Sequence, residues 1–243
     1  RIINGHVDYG CYEYTGAATL LNEKEESEFE EGETDVVMRR SFVADGSYYT
    51  LALPFAMSQE QVAATFGACE ISELKSSILK SETDTHMELR LDFAKVASIE
   101  ANKPYLFLPQ ANVTNPIFEA VTLSKTANDV ETDYADMKAI LTPTTFDDLS
   151  DGTYFLGSGN MLQPLDETSN MVKAYRGYFV LHQKGEPAKT INKVVRAMVN
   201  VNNAPTAITM VAKHAQTKKM LINNQIVIMR NDNVYTVLGS QIH

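Results

Sequence analysis

The sequence predicts an all-β fold, an antiparallel β-sandwich with one short helix at about residues 58–67 and a small C-terminal β-meander. The main observation is a series of short runs in which apolar and polar residues alternate, separated by turn residues. No long amphipathic segment lies between these runs, which favours an antiparallel sandwich over a parallel α/β sheet. With 243 residues, 44% of them hydrophobic, the chain can bury a sizeable core.

The clearest alternation covers Met87–Phe93, where apolar side chains fall on one face and charged side chains on the other. Such a pattern is typical of a half-buried antiparallel strand. Similar patterns predict further strands at Val36–Val43, Tyr48–Phe55, Tyr105–Pro109, Phe118–Ser124, Met137–Thr142, Thr153–Leu156, Val172–Leu181, Ile191–Val201, Ala207–Val211, Gln225–Met229 and Val234–Leu238.

The helix is predicted from its two ends and from its apolar face. Ser58 is a good N-cap residue, Gln61 completes a capping box, and Gly67 suits the position just past the last turn. Between them, Val62, Ala63 and Phe66 form a face that we expect to pack on the core instead of binding a partner.

The chain divides into two parts that differ in residue composition and strand pattern. Residues 1–201 are predicted to form a β-sandwich-like domain, either undivided or split into two β subdomains near residues 126–135. Residues 202–243 are predicted to form a three-strand tail module, because Asn-rich stretches there suit tight hairpin turns. A meander this small has little core of its own and should dock on another surface.

The net charge of −10 belongs mostly to one segment. Residues 23–35 hold eight acids and one Lys, which leaves 23 acids against 20 bases in the rest of the chain. This balance excludes a chain-wide basic nucleic-acid binder. We expect the segment to be an exposed, mobile loop. The more specific alternative is a site that binds a cation or a basic partner. The segment lacks the spaced oxygen ligands and turn Gly of a calcium loop.

Targeting and redox signals are sparse. No run approaches the roughly 20 apolar residues that span a bilayer, so the chain is not expected to cross a membrane. It begins at Arg1 without a basic-then-apolar leader, and we expect a processed mature form or a part of a longer chain. Cys11 and Cys69 form either one bridge or two buried thiols, and their separation does not decide between these.

Two stretches invite a catalytic or metal-binding interpretation. The first, Leu156–Gly159, has Leu where a nucleophile elbow needs Gly, and strand patterns flank it. The third glycine of a dinucleotide fingerprint would fall on Leu162. We therefore predict a Gly-Ser-Gly hairpin turn. The second, Asp147–Gly152, carries Leu149 at the second ligand position of a calcium loop, so it is predicted to be a turn.

Single residue types add no catalytic, cofactor or metal site. The His residues lack the spacing of metal ligands, and none of the 31 acids stands out as half of a glycosidase pair. Trp is absent, and the Tyr residues are expected to pack in the core instead of stacking sugars. Ligand-binding residues stay unassigned. The residues weighed are His6, His86, His182, His214, His243, Tyr9, Tyr12, Tyr14, Tyr48 and Tyr49.

A series of motifs from about Arg40 to Leu181 resembles a β-rich domain of exported and surface proteins from Bacteroidales-type bacteria. That domain has a T-L-x-L-P-F strand, an I-x-A-G-K-P-Y-L strand and a late F-R-A-Y-F strand. Here Asn102 stands for the Gly, and Tyr175–Phe179 replaces the last motif. The matching stretches are Ser41–Phe42, Tyr49–Phe55, Phe66–Gly67, Ile99–Leu106, Asp151–Gly157 and Lys173–Phe179.

A second resemblance covers the C-terminal tail of many of the same proteins. Its pattern is K-x-x-x-x-G-Q-x-x-I-x-R-x-G-x-x-Y-x-x-x-G-Q, and Asn224 and Asn233 stand where it has turn glycines. Such tails are loosely similar to secretion-sorting modules. The matching stretches are Pro205–Ile208, Leu221–Arg230 and Tyr235–Ile242.

These resemblances imply an exported module, at the cell surface or secreted, without catalysis or cofactor. Its role would be binding, adhesion or scaffolding, with a glycan or a host or surface protein as partner and no nucleic acid. Two alternatives remain open: a glycan-acting hydrolase with an unrecognised carboxylate pair, and a structural spacer of a larger surface protein. The oligomeric state and the ligand are not determined by the sequence.

Overall fold

The computed structural model describes residues 2–3, 6–7, 18–146, 152–157, 162–163, 171–185, 194–201, 204–209, 218–222, 225–230, 233–236 and 241–242. These residues form mostly antiparallel sheets and one short helix, which confirms the predicted all-β sandwich class. The chain divides into two compact units, Arg1–Val211 and Ala212–His243.

The first unit contains nineteen strands among the described residues, with the helix α1 at Gln59–Phe66. The strands are β1 (Ile2–Ile3), β2 (His6–Val7), β3 (Thr19–Asn22), β4 (Gly32–Arg39), β5 (Ser41–Phe42), β6 (Tyr49–Ala52), β7 (Cys69–Glu82), β8 (His86–Val96), β9 (Pro104–Pro109), β10 (Val113–Thr114), β11 (Ile117–Leu123), β12 (Ala135–Ile140), β13 (Thr144–Thr145), β14 (Thr153–Leu156), β15 (Leu162–Gln163), β16 (Met171–Val172), β17 (Arg176–Leu181), β18 (Val194–Val201) and β19 (Ala204–Thr209).

Three larger sheets build the first unit. A six-stranded sheet has the order β19-β18-β8-β7-β9-β6, a four-stranded sheet the order β12-β17-β14-β15, and a three-stranded sheet the order β11-β4-β3. Two neighbouring pairs, β8 with β18 and β3 with β4, run parallel, whereas the prediction was antiparallel. Residues 97–193 connect β8 to β18 and residues 23–31 connect β3 to β4, so neither parallel pair is joined by a tight hairpin turn.

The six-stranded sheet is buried on both faces along β9. Tyr105 and Phe107 point into a cluster that also holds Phe42, Phe66 and residues of β4 and β11. Leu106, between them in sequence, belongs to a second cluster shared by β8, β18 and the four-stranded sheet. Because side chains of a strand alternate between faces, this one strand divides the core into two layers.

The predicted helix is confirmed in detail. Ser58 caps it, Gln61 closes the capping box, and Gly67 follows the last turn with φ 66°. Val62 and Phe66 are buried as expected, but Ala63 is exposed, so its assignment to the apolar face was wrong. Ala63 follows Val62 directly, and consecutive residues are rotated by about 100° around the helix axis.

The longest strand, β7, is missing from the predicted set. Its apolar residues Ile71, Leu74 and Ile78 are spaced three and four residues apart, which obscures the alternation of a strand. The structure accounts for this spacing with two irregularities in the pairing with β8, between Leu74 and Ser76 and between Leu79 and Ser81. Each inserts one extra residue and so resets which face the next side chain takes.

The acidic segment is only partly a loop. Residues 23–31 contain no strand and are mostly exposed, as predicted. Strand β4 begins at Gly32, however, so residues 32–35 belong to a sheet and the predicted loop ends four residues too late. The strand extends because Glu33 and Thr34 pair with Thr122 and Val121 of β11.

The predicted strand Val172–Leu181 is interrupted. β16 ends at Val172 and β17 begins at Arg176, with Tyr175 between them at φ 59°. A left-handed residue cannot continue an extended strand, so the chain changes direction at this point.

The second unit is an antiparallel sheet of β20 (Lys218–Ile222), β21 (Gln225–Arg230), β22 (Asn233–Thr236) and β23 (Gln241–Ile242) in that order. The predicted strands Gln225–Met229 and Val234–Leu238 correspond to β21 and β22. The predicted strand Ala207–Val211 corresponds to β19, which pairs with β18 in the first unit. The Asn-rich turns at 223–224 and 231–232 lie outside the described residues. In the described part of the chain, no helix is long and apolar enough to cross a membrane.

Candidate functional site

A cleft of about 680 Å³ lies between α1 and the segment that carries β10 and β11. Its floor is apolar and buried, formed by Met57, Phe66, Phe118 and Val121. The Phe66 and Phe118 rings meet edge to face with their centroids 5.7 Å apart. Because both rings are fixed by the core, the floor is preformed. The walls are Gln61, Ala64, Thr65, Gly67, Asn112, Val113, Thr114, Asn115, Pro116, Ile117 and Glu119.

The helical wall is held by the N-terminal cap of α1. The Gln61 Oε1 atom accepts a hydrogen bond of 2.8 Å from the Ser58 backbone N–H. The Gln61 backbone N–H in turn donates to the Ser58 Oγ atom at 3.3 Å. Gln61 thus lines the cleft with its Oε1 atom engaged in the cap, which leaves the NH₂ group of its side chain as a donor.

The segment that forms the opposite wall has two non-glycine residues in the left-handed region, Asn115 in the wall at φ 47° and Ala120, which does not line the cleft, at φ 48°. The Asn115 N–H donates to the Arg40 carbonyl at 3.1 Å, and the Ala120 N–H donates to the Asp35 Oδ1 atom at 2.9 Å. The register between β11 and β4 shifts at the same place. This wall is therefore a bulged edge strand whose conformation is held by specific partners.

The chemistry of the walls is neutral and polar. They present the amides of Gln61, Asn112 and Asn115 and hydroxyl groups of two Thr residues, while Glu119 is the one carboxylate among the described lining residues. Amides and hydroxyls recognise neutral hydrogen-bonding groups, and the apolar floor adds contact area. Glycoside hydrolysis uses two carboxylates, and the described lining of this cleft lacks the second carboxylate that the hydrolase alternative requires.

Outside the cleft, one acid of the run 23–35 is bound by cations of the same chain. The Glu23 carboxylate lies 2.8 Å from Lys173 Nζ, 2.6 Å from Arg176 Nη2 and 3.8 Å from Arg40 Nε. Burial alone would raise the pKa of Glu23, but the hydrogen bond from Lys173 and the surrounding positive charges bring that pKa below its usual range. Glu23 thus fastens the start of the acidic loop to the main body.

Arg40 is buried beside this carboxylate. Its Nη1 atom donates to the Tyr175 carbonyl at 2.5 Å, and its Nη2 atom donates to the Thr50 carbonyl at 2.8 Å. The guanidinium also stacks on Phe42, 4.6 Å from the ring centre. These contacts replace water around a charge that would otherwise be costly to bury.

A second ion network occupies the start of β9. Lys103 Nζ lies 2.6 Å from a Glu73 oxygen and 2.7 Å from a Glu100 oxygen, and Glu73 also contacts Lys75. Burial would lower the pKa of Lys103, yet its hydrogen bonds to Glu100 and Glu73 raise that pKa above its usual range. The Tyr105 hydroxyl accepts a hydrogen bond of 2.9 Å from the Glu100 N–H. The K-P-Y-L stretch is therefore a structural junction.

His182 forms a polar network with a neighbouring acid. Its Nε2 atom lies 3.1 Å from Asp136 Oδ1, and its Nδ1 atom lies 3.1 Å from the Gln183 carbonyl. The Ser77 hydroxyl accepts hydrogen bonds of 2.6 Å from Thr132 Oγ1 and 2.7 Å from the Tyr134 N–H. The nitrogens of the His182 ring bond Asp136 and Gln183, and neither bonds the Ser77 hydroxyl. His182 and Ser77 therefore lack the hydrogen bond that joins a serine nucleophile to its base.

The structure places the remaining sequence candidates as follows. Tyr48 and Tyr49 are half-buried and pack against different core clusters, as expected for neighbours on opposite faces of a strand. Cys69 is half-buried and His86 exposed, and the described residues include no group of three metal-ligating side chains. Positions outside the described residues are Tyr9, Cys11, Tyr12, Tyr14, Asp147–Asp151, Ser158, Gly159, His214 and His243, and of His6 only the backbone is described.

None of the cleft residues was predicted from the sequence to bind a ligand, and Gln61 and Phe66–Gly67 were assigned only to the helix and its ends. One signal was present, since Asn112 and Asn115 interrupt the alternation just before Pro116. Asn is favoured in left-handed positions, so these residues indicated a backbone turn but not a binding site.

No protein-family model matches the chain, and neither the curated proteins nor the solved structures contain a match. A functional proposal must therefore be supported by the geometry of the cleft.

Proposed function

We propose that this chain is an exported binding module without catalytic activity, at the cell surface or secreted, and that it binds its partner in the cleft between α1 and β11. The observation that supports the proposal is the combination of neutral hydrogen-bonding walls with a preformed apolar floor. Ligand sites are generally concave, largely preformed and lined by apolar groups with a few placed polar ones.

The proposed location is supported by the motif resemblance described above. Several motif residues have structural roles in this chain, among them Asn102 in a left-handed turn and Lys103 in the ion network. These two motif positions are therefore constrained by the fold. Accessibility of the full natural protein to added protease on intact cells tests the location, and complete protection would contradict it.

Binding is tested with the purified chain on panels of glycans and of host matrix and surface proteins. The informative variant is Ala64→Arg, because Ala64 is exposed on α1 and lines the cleft. Ala63→Arg is the matched control, since Ala63 is exposed on the same helix but does not line the cleft. We expect Ala64→Arg to weaken binding at least about tenfold, with Ala63→Arg unchanged.

The same panels can contradict the proposal. A partner whose affinity is unaffected by Ala64→Arg would place the binding site elsewhere. Silence on every panel together with turnover of a glycoside substrate would favour the hydrolase alternative. Silence on every panel without turnover would favour the structural spacer.

A further inference from the structure

We infer that the cleft binds a polypeptide segment in extended conformation, which adds a strand to β11 between that strand and α1. This inference rests on the proposed function and names the partner class of the same site. Its basis is the position of β11, which ends its three-stranded sheet: β4 pairs with one side of β11, and among the described residues no strand pairs with the other.

The unpaired peptide groups can be identified from the register. The Met38 N–H donates to the Pro116 carbonyl at 3.0 Å, and Ile117 and Phe118 then oppose Val37 and Val36. In an antiparallel pair, peptide groups that bond the neighbour alternate with groups that point away. The N–H and C=O groups of Ile117 therefore point away from β4, on the side of the cleft that Ile117 lines.

The cleft has the shape that such an addition needs. One wall is a strand edge, the other is the helix α1, and Phe66 and Phe118 form the floor. Main-chain hydrogen bonds to an edge strand provide affinity, while pockets for alternate side chains provide specificity. A glycan would use the amides and hydroxyls of the walls but has no peptide N–H and C=O groups to pair with those of Ile117.

The lining also defines the chemistry of the segment. Side chains that face the floor should be apolar, since four buried apolar residues form it. The charged group of the described lining is the exposed Glu119 carboxylate, so charge complementarity favours a Lys or Arg in the segment beside it.

Two features limit how much strand can be added. The backbone leaves the extended conformation at Asn115, with φ 47°, and again at Ala120, with φ 48°. The regular edge is therefore short, which suits a short segment and disfavours edge-to-edge pairing between two copies of this chain.

The probe is a random library of capped octapeptides presented to the immobilised full chain. We expect the enriched peptides to share alternating apolar positions and a basic residue. They should bind the Ala64→Arg variant at least about tenfold more weakly than the unaltered chain. In an N-methyl scan of an enriched peptide, methylation of the residue opposite Ile117 should weaken binding roughly fivefold to tenfold, because the methyl group removes the donor to the Ile117 carbonyl. Methylation of the residues on either side of it should have little effect.

A protein variant tests the same bond from the other side. Ile117→Pro removes an N–H that does not serve β4, and proline is tolerated at such edge positions. We expect roughly fivefold to tenfold weaker peptide binding by Ile117→Pro and unchanged binding by the control Ile117→Val. Circular dichroism and urea unfolding show whether Ile117→Pro folds. Should it not fold, the N-methyl scan on the unaltered chain decides.

Each remaining outcome is decisive. Uniform tolerance of N-methylation, or full affinity in a folded Ile117→Pro variant, overturns the added strand. A glycan that binds the unaltered chain and binds Ala64→Arg more weakly, with no octapeptide enriched, overturns the inference but leaves the proposed function intact. Failure of both glycans and peptides to bind contradicts both proposals.

Discussion

Asn102 has no exposed surface and adopts φ 60°, so its backbone occupies a conformation that favours glycine. Its N–H donates to the Leu53 carbonyl at 2.7 Å, and its Nδ2 group donates to the carbonyls of Ser124 and Thr126 at 2.9 and 2.8 Å. The Asn102 backbone thus bonds the segment at Leu53, and its side chain bonds the segment at Ser124 and Thr126, next to the Lys103 network. Asparagine tolerates the left-handed region and supplies an amide that the glycine of the resembled motif cannot.

We expect Asn102→Ala to lower the free energy of unfolding by about 2–4 kcal/mol, since it removes the donor to the Ser124 and Thr126 carbonyls and adds left-handed strain. Asn102→Gly should be less damaging by about 1 kcal/mol, because it removes the same hydrogen bonds without the strain. Urea unfolding monitored by circular dichroism measures both. Equal losses in the two variants would show that the backbone conformation is not strained.

Glu23 should make stability depend on pH. Because its pKa is lowered in the folded chain, its contribution is full above the unfolded value of about 4.3 and is lost as the pH falls through the folded value. At pH 7, Glu23→Gln should lower the free energy of unfolding by about 1–3 kcal/mol, and the difference from the unaltered chain should vanish in acid.

The matched control for Glu23→Gln is Glu26→Gln, because Glu26 is an exposed acid of the same loop. It should change the free energy of unfolding by no more than about 0.5 kcal/mol. Urea titrations from pH 3 to pH 8 give the comparison. A pH-independent effect of Glu23→Gln would show that shape, and not charge, accounts for its contribution.

At the scale of elements, α1 is the clearest case in which local sequence specifies local structure. Both ends of the helix were recognisable, and both hydrogen bonds of the capping box are present. A helix of eight residues is too short to be stable alone, so Val62 and Phe66 must pack on the core to hold it. The cap and the core contacts together position the helical wall of the cleft.

Ser58→Ala should lower the free energy of unfolding by about 1 kcal/mol, because the Gln61 N–H loses its acceptor. Ser58→Thr retains a capping hydroxyl and should cost less. Amide hydrogen exchange resolved by residue locates the effect, with faster exchange expected in the first turn of α1. Faster exchange spread over the sheets would argue against a local cap.

The strand β7 shows the limit of pattern reading for elements. Alternation predicts a strand only while its register is regular, and β7 changes register twice against β8. A bulge is a property of two paired strands, so it is not visible in either strand alone. The regular strand β8, with Met87, Leu89 and Leu91 all buried, was predicted from its own sequence.

At the scale of the first unit, the six-stranded sheet separates two core clusters, and Gly177 shows how closely the layers approach. An alanine Cβ at Gly177 in β17 would lie 2.9 Å from Pro104 Cβ in β9 and 3.1 Å from Met137 Cε. Real Cβ atoms do not approach a rigid proline ring so closely, so the two strands would have to move apart. The glycine permits the contact between the four-stranded and six-stranded sheets.

Gly177→Ala should therefore lower the free energy of unfolding by about 1–3 kcal/mol. Gly157→Ala is the matched control, since its Cβ would meet only the mobile end of the Gln163 side chain, and it should change stability by about 0.5 kcal/mol at most. Thermal and urea unfolding measure both variants. The resembled motif carries Ala at this position, so full stability of Gly177→Ala would show that the layers can separate without cost.

Local patterns in the sequence specify the secondary-structure class, the capped helix and most strands, because alternation and capping depend on neighbours in the chain. The tertiary structure decided the two parallel pairs, the bulges of β7 and β11, and the partners of Glu23, which lie about 150 residues away at Lys173 and Arg176. It also decided the cleft, whose walls come from α1 and from residues 112–119. Contacts between distant segments leave no periodic trace in either segment, so the cleft is visible only in the folded chain.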